Sequence, residues 1–74
     1  MNHWFKKYID KAILKIDGEF TARMVLSKVI DMFGNGRYIG TTSGIGFYLQ
    51  QKKDIEVVKN GSASKTYRRI KNDD

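Results

Sequence analysis

What most restricts this chain is something it lacks: its 74 residues include no cysteine. A domain this short buries only about 60% of the surface its unfolded chain exposes, and folds of this size often lean on disulfides or a structural metal. Without cysteine there can be no disulfide, iron–sulfur cluster or thiolate zinc site. The single histidine, His3, stands near a terminus expected to fray. Stability is therefore expected from packing alone, with a homodimer as one way to reinforce it. Nine aromatic residues and an apolar content of 41% supply enough material for a core. The length predicts a single domain over 1–74, with 71–74 as a disordered tail.

The apolar positions predict three helices and a hairpin. Trp4, Phe5, Tyr8, Ile9, Ala12, Ile13 and Ile16 recur at helical spacing, which predicts an amphipathic helix over 4–16. Lys6 and Asp10 are expected to attract across one turn. Asp17-Gly18 is expected to end this helix, with Gly18 taking a left-handed cap. Glu19-Phe20 reads as a short extended link and Thr21 as the N-cap of a second helix. That helix carries the stripe Ala22, Val25, Leu26, Val29, Ile30 and Phe33, and stops at Gly34-Asn35-Gly36. Arg37 to Gly40 reads as an extended piece or loop, and Thr41, Thr42 and Ser43 all offer N-caps, Thr42 foremost.

A third helix is predicted to about Lys53, with Ile45, Tyr48, Leu49 and the Lys52 stem inward and Ser43, Phe47, Gln50 and Gln51 outward. Gly44 and Gly46 inside it each cost about 1 kcal/mol relative to alanine. That suggests the close approach of another backbone, from the second helix or from DNA. Ile55–Lys59 and Thr66–Ile70 then read as two strands. Asn60-Gly61 is the turn signal, in a loop that Gly61-Ser62-Ala63-Ser64 can lengthen.

The net charge of +6 is unevenly distributed. Residues 1–31 hold six basic and four acidic side chains, whereas residues 32–72 hold eight basic and only two acidic ones. A positive field concentrated in one half suits a polyanionic partner. The longest apolar runs fall far short of a membrane span, and the start of the chain lacks the order of a secretory signal. A soluble, cytoplasmic protein without a membrane partner is expected, nucleoid-associated if it binds DNA.

Helix, short extended link, helix, turn, helix, then a hairpin with a basic tip: this order resembles the winged helix-turn-helix family. The residues that carry the likeness are Gly18-Glu19-Phe20-Thr21 leading into the second helix, Thr42 to Leu49 as the third, and Ile55 to Ile70 in the place of the wing. One departure is the turn from Gly34 to Thr41, about eight residues against the three or four of the compact motif. The resemblance implies a small α+β fold of three helices with a C-terminal β-hairpin wing. It implies binding of double-stranded DNA through helix 42–53 in the major groove and the basic wing 55–70, as in a small transcriptional regulator. Thr41, Thr42 and Ser43 would meet phosphate at the helix start. Gln50, with Gln51 on its flank, would read bases, and Phe47 would meet a thymine methyl. Lys52, Lys53, Lys59, Lys65, Arg68 and Arg69 would neutralise phosphates, and Arg37 and Tyr38 would hold the flanking backbone.

Plainer readings stand beside these. Phe47 also fits the core or a dimer contact, Gln50 a solvated helix face, and Tyr67 packing between hairpin and core. The basic residues also fit a hairpin edge guarded against aggregation. Two other functions remain open: a protein-interaction module using the aromatic first helix, which is also the candidate homodimer surface over 4–16, and a single-strand binder stacking bases on Tyr38, Phe47 and Tyr67. No catalytic constellation is legible. The serines have only His3 as a base, Asp54 and Glu56 suit strand-end ion pairs, and neither glycine-rich stretch matches a phosphate-loop pattern. No enzymatic activity, cofactor or metal is expected.

Overall fold

The computed structural model describes residues 3–34, 40–61 and 64–70. They form a small α+β fold of three helices and a three-stranded antiparallel sheet. The elements run α1 (His3–Ile13), β1 (Phe20–Thr21), α2 (Ala22–Phe33), α3 (Thr42–Gln51), β2 (Ile55–Asn60) and β3 (Lys65–Arg69). The side chains of His3 and Trp4, residues 37–39 of the expected extended piece or loop, and the tail 71–74 lie outside the described residues.

α1 ends three residues before its apolar spacing does. Its last turn tightens, with the Lys15 amide donating to Ala12 O (3.0 Å) and the Ile16 amide to Ile13 O (3.1 Å). Ile16 is still buried, because the turn swings it onto the same core. Gly18 has φ +77°, the left-handed region glycine enters without penalty. Thr21 caps α2, its hydroxyl accepting from the Met24 amide at 3.2 Å. At α3 the cap is Thr41, not Thr42: its hydroxyl accepts from the Gly44 amide at 3.1 Å, and Thr42 is the first helical residue. α3 also stops at Gln51 rather than Lys53, since Lys52 is already extended (ψ 134°).

The sheet order is β1-β3-β2. The two-residue β1 pairs with the return strand of the hairpin through Phe20 opposite Tyr67 and Thr21 opposite Thr66. β2 pairs with β3 from Ile55–Arg69 to Asn60–Lys65, with an irregularity between Val57 and Lys59. The core draws on every element: Phe5, Ile9, Ala12, Ile13 and Ile16, then Phe20, Val25 and Val29, Ile45 and Leu49, Ile55 and Tyr67. Tyr8 stacks on Phe33 at 4.4 Å between ring centroids, which ties the middle of α1 to the end of α2.

A polar knot joins α1 to the far end of α3. The Tyr48 hydroxyl donates to Asp10 Oδ1 at 2.9 Å, and Lys52 Nζ donates to the same oxygen at 3.0 Å. Lys52 also lies 3.7 Å from Asp54. The expected Lys6–Asp10 pair does not form; Lys6 instead lies 5.8 Å from the centre of the Tyr48 ring. The longer reach across helices wins because Asp10 there gains a hydroxyl and an ammonium together. Partial burial, then the Asp10 hydrogen bond and charge, raise the Tyr48 pKa above its ordinary 10.0. Burial alone would lower Lys52, but the Asp10 hydrogen bond and charge, with Tyr48 and Asp54, outweigh it and raise the pKa above 10.5.

Thr21→Ala and Thr41→Ala should each cost about 1 kcal/mol, lowering the thermal midpoint by roughly 4–8 °C, as measured by circular dichroism. Both raised pKa values mean that the folded chain holds protons more tightly than the unfolded one, so the knot's contribution is complete below pH 10 and is lost as pH rises through the folded values. Asp10→Asn should lower the neutral-pH midpoint and flatten the further fall between neutral and strongly alkaline pH. An equal alkaline fall in both proteins would exclude the knot as its source.

Candidate nucleic-acid interface

α3 presents its outer face beside the first turn of α2 and the start of β3. Where the three meet, an open groove is lined by Thr21, Ala22 and Arg23 from α2 and its cap, by Thr42, Ser43, Gly46, Phe47 and Gln50 from α3, and by Ser64, Lys65 and Tyr67. Among the described residues this lining carries two cations, several hydroxyls and no carboxylate. Three described carboxylates are paired elsewhere, Asp10 and Asp54 at Lys52 and Glu56 at Arg68, and Asp17 and Asp31 line a separate hollow that Arg23 also borders. A low-dielectric wall carrying one sign of charge focuses the field on the groove.

Of the residues singled out by sequence, Thr42, Ser43, Phe47, Gln50 and Lys65 come together here. Thr41 is adjacent but its hydroxyl is committed to the cap. Phe47 is 68% exposed, which removes the reading of it as core. Gln50 is exposed but held: its Nε2 donates to the Gly46 carbonyl and its Oε1 accepts from Lys65 Nζ, both at 3.2 Å. The amide therefore keeps one N–H and one lone pair for an outside partner.

The remaining cations are spread more widely. Gln51 and Lys53 are exposed at and just beyond the end of α3, Lys59 is exposed on β2, and Arg69 is half-buried on β3 opposite Ile55. Arg68 points to the sheet face opposite Tyr67 by strand alternation, where its Nη2 donates to Glu56 Oε1 at 2.8 Å. Lys52 is held in the Asp10 knot and is not available to an external phosphate. Arg37 and Tyr38 lie outside the described residues.

Three further expectations change. Phe5 is fully buried, so it cannot form part of an exposed aromatic surface on α1, and Tyr8 is occupied by Phe33. The Trp4 side chain lies outside the described residues. Tyr67 is only 3% exposed and stacks on Phe20 at 6.2 Å, so its ring has no face to offer a base. Within the fold, the atom that comes close to Gly46 is the Tyr67 hydroxyl, 3.3 Å from where a β-carbon would stand, rather than the backbone of α2.

Arg23, exposed on the first turn of α2, is a residue of the groove that sequence reasoning did not single out. Its place two residues after the Thr21 cap was the available signal, but only the helix crossing aligns that turn with α3. Gly46→Ala should be more favourable in a Tyr67→Phe background than in the natural chain. Alanine gains about 1 kcal/mol of helix propensity in both, and only the natural chain has the hydroxyl to crowd it. Equal effects in a double-mutant cycle read by chemical denaturation would remove this contact as the reason for glycine. No known protein family, curated protein or solved structure matches the chain, so the reading of this face rests on its own geometry.

Proposed function

We propose that the protein is a winged-helix domain that binds double-stranded DNA, with α3 in the major groove and the β2–β3 hairpin as its wing. The observation that carries this is the groove beside α3, whose lining among the described residues holds Arg23 and Lys65 and no carboxylate. A helix with its side chains measures about 10–12 Å across, which suits a major groove about 12 Å wide. Ser43, Phe47 and Gln50 occupy the outer face that would meet base edges. Lys53, Lys59 and Arg69 would neutralise phosphates to either side, whereas Lys52 and Arg68 are spent on Asp10 and Glu56. Regulation of transcription is the role such a domain would serve.

Fluorescence anisotropy with a random duplex should give micromolar binding at ~50 mM salt that weakens steeply by ~200 mM. Lys65→Glu should reduce the low-salt affinity about tenfold or more and flatten the salt slope. Gln50→Ala should leave random-duplex binding nearly unchanged, while relaxing the preference among sites by about 1–3 kcal/mol at one base pair. A natural chain that fails to bind duplex even at low salt would sink the proposal.

A further inference from the structure

Tyr67 presents an unusual combination. Its ring belongs to the core and the residue is 3% exposed, yet its hydroxyl has no hydrogen-bond partner among the described residues. Buried tyrosine hydroxyls ordinarily find one. Among the described residues no sealed side-chain oxygen or nitrogen lacks a partner, so the Tyr67 oxygen must open onto the groove it lines. Gly46 keeps that opening clear, since a β-carbon there would stand 3.3 Å from the oxygen.

The walls around this hydroxyl share one preference. The first turns of α2 and α3 both reach the groove through Ala22, Arg23, Thr42 and Ser43. The Thr21 and Thr41 hydroxyls satisfy the amides of Met24 and Gly44, but the amides of these four residues have no partner inside their helices, by position. Neither first turn contains an acidic side chain. Both helix starts are therefore positive ends without an anion, and Arg23 and Lys65 add full charges. Water can fill such a groove in the free protein, but water does not account for a lining with donors and cations and no carboxylate.

We propose that this groove is a seat for one phosphodiester of the nucleic-acid backbone, with the Tyr67 hydroxyl donating from its floor, the two helix starts beside it and Arg23 and Lys65 closing over it. The proposal rests on the nucleic-acid reading above and adds to it a named contact that carries no charge of its own. Arg23 suits the role because its planar fork can donate two parallel hydrogen bonds to phosphate oxygens.

Tyr67→Phe removes the hydroxyl and keeps the ring in the core. With a thermal midpoint close to that of the natural chain, it should bind duplex about tenfold more weakly, as for loss of a hydrogen bond to a charged group. Its salt slope should not change, because no cation is lost. Arg23→Gln should weaken binding and reduce the slope by about one. It also carries the test if Tyr67→Phe does not fold: an unchanged affinity and slope would then overturn the seat. A Tyr67→Phe chain that folds and binds duplex as tightly as the natural one overturns the seat and leaves DNA binding standing. If the natural chain binds no duplex, the DNA reading falls first, and titration with inorganic phosphate followed by amide chemical shifts decides. Shifts over 22–24 and 42–44 that vanish in Tyr67→Phe would support a phosphate seat served by another source. No shifts there, or shifts that persist in Tyr67→Phe, would end it.

Discussion

Each strand of the sheet meets the helices through one buried side chain, Phe20 of β1, Ile55 of β2 and Tyr67 of β3. β3 lies between β1 and β2, and at its centre Tyr67 faces Phe20 on one side and Val57 on the other. Its ring stacks on Phe20 and its hydroxyl reaches α3 at Gly46. A two-stranded hairpin alone is marginal in water and needs a third strand or a helix to pack on. Here β1 supplies that strand with only two residues, so the side chains at the crossing matter more than the length of the ladder. Because Tyr67 fixes the hairpin against α3, it also fixes Lys65, two residues away on the same face, against Gln50.

A chain of this size has little stability to spare, about 4–11 kcal/mol at the usual yield per residue. Deleting a single buried isoleucine such as Ile9 would remove about 2–5 kcal/mol of it. With no disulfide possible, the polar ties acquire weight they would lack in a larger protein. The two threonine caps close the starts of α2 and α3. The Asp10–Tyr48–Lys52 knot holds the far end of α3 on α1. Fixing both ends of α3 leaves its outer face without an intramolecular duty apart from the Gln50 contacts, and that is the face offered to the groove.

The same knot explains how charge is distributed over the surface. Asp10 and Asp54 converge on Lys52, and Glu56 lies on Arg68 at the opposite face of the sheet. The two cations of the groove come from both halves of the chain, Arg23 from the first and Lys65 from the second. No helix among the described residues is long and apolar enough to cross a membrane.

Much of this was legible in the chain itself. Helical spacing gave the buried faces of α1 and α2, because an amphipathic stripe has to face a core. Thr21, Gly18, Gly34 and the Asn60-Gly61 turn marked boundaries because caps and turns depend on local chemistry within a few residues. The ends of α1 and α3 were overrun, since apolar spacing continues through Ile16 and Lys52 after the helices stop. What only the tertiary structure decided were matters of long-range partner choice. Asp10 prefers residues 38 and 42 positions away to Lys6, one turn away. Gly46 answers to a hydroxyl from β3, and Arg23 joins α3 in one groove. Sequence sets what each segment can bury and cap, because those energies are local. Which charges meet, and which donors remain unspent, depends on how the segments cross, and that is fixed only when the shared core closes.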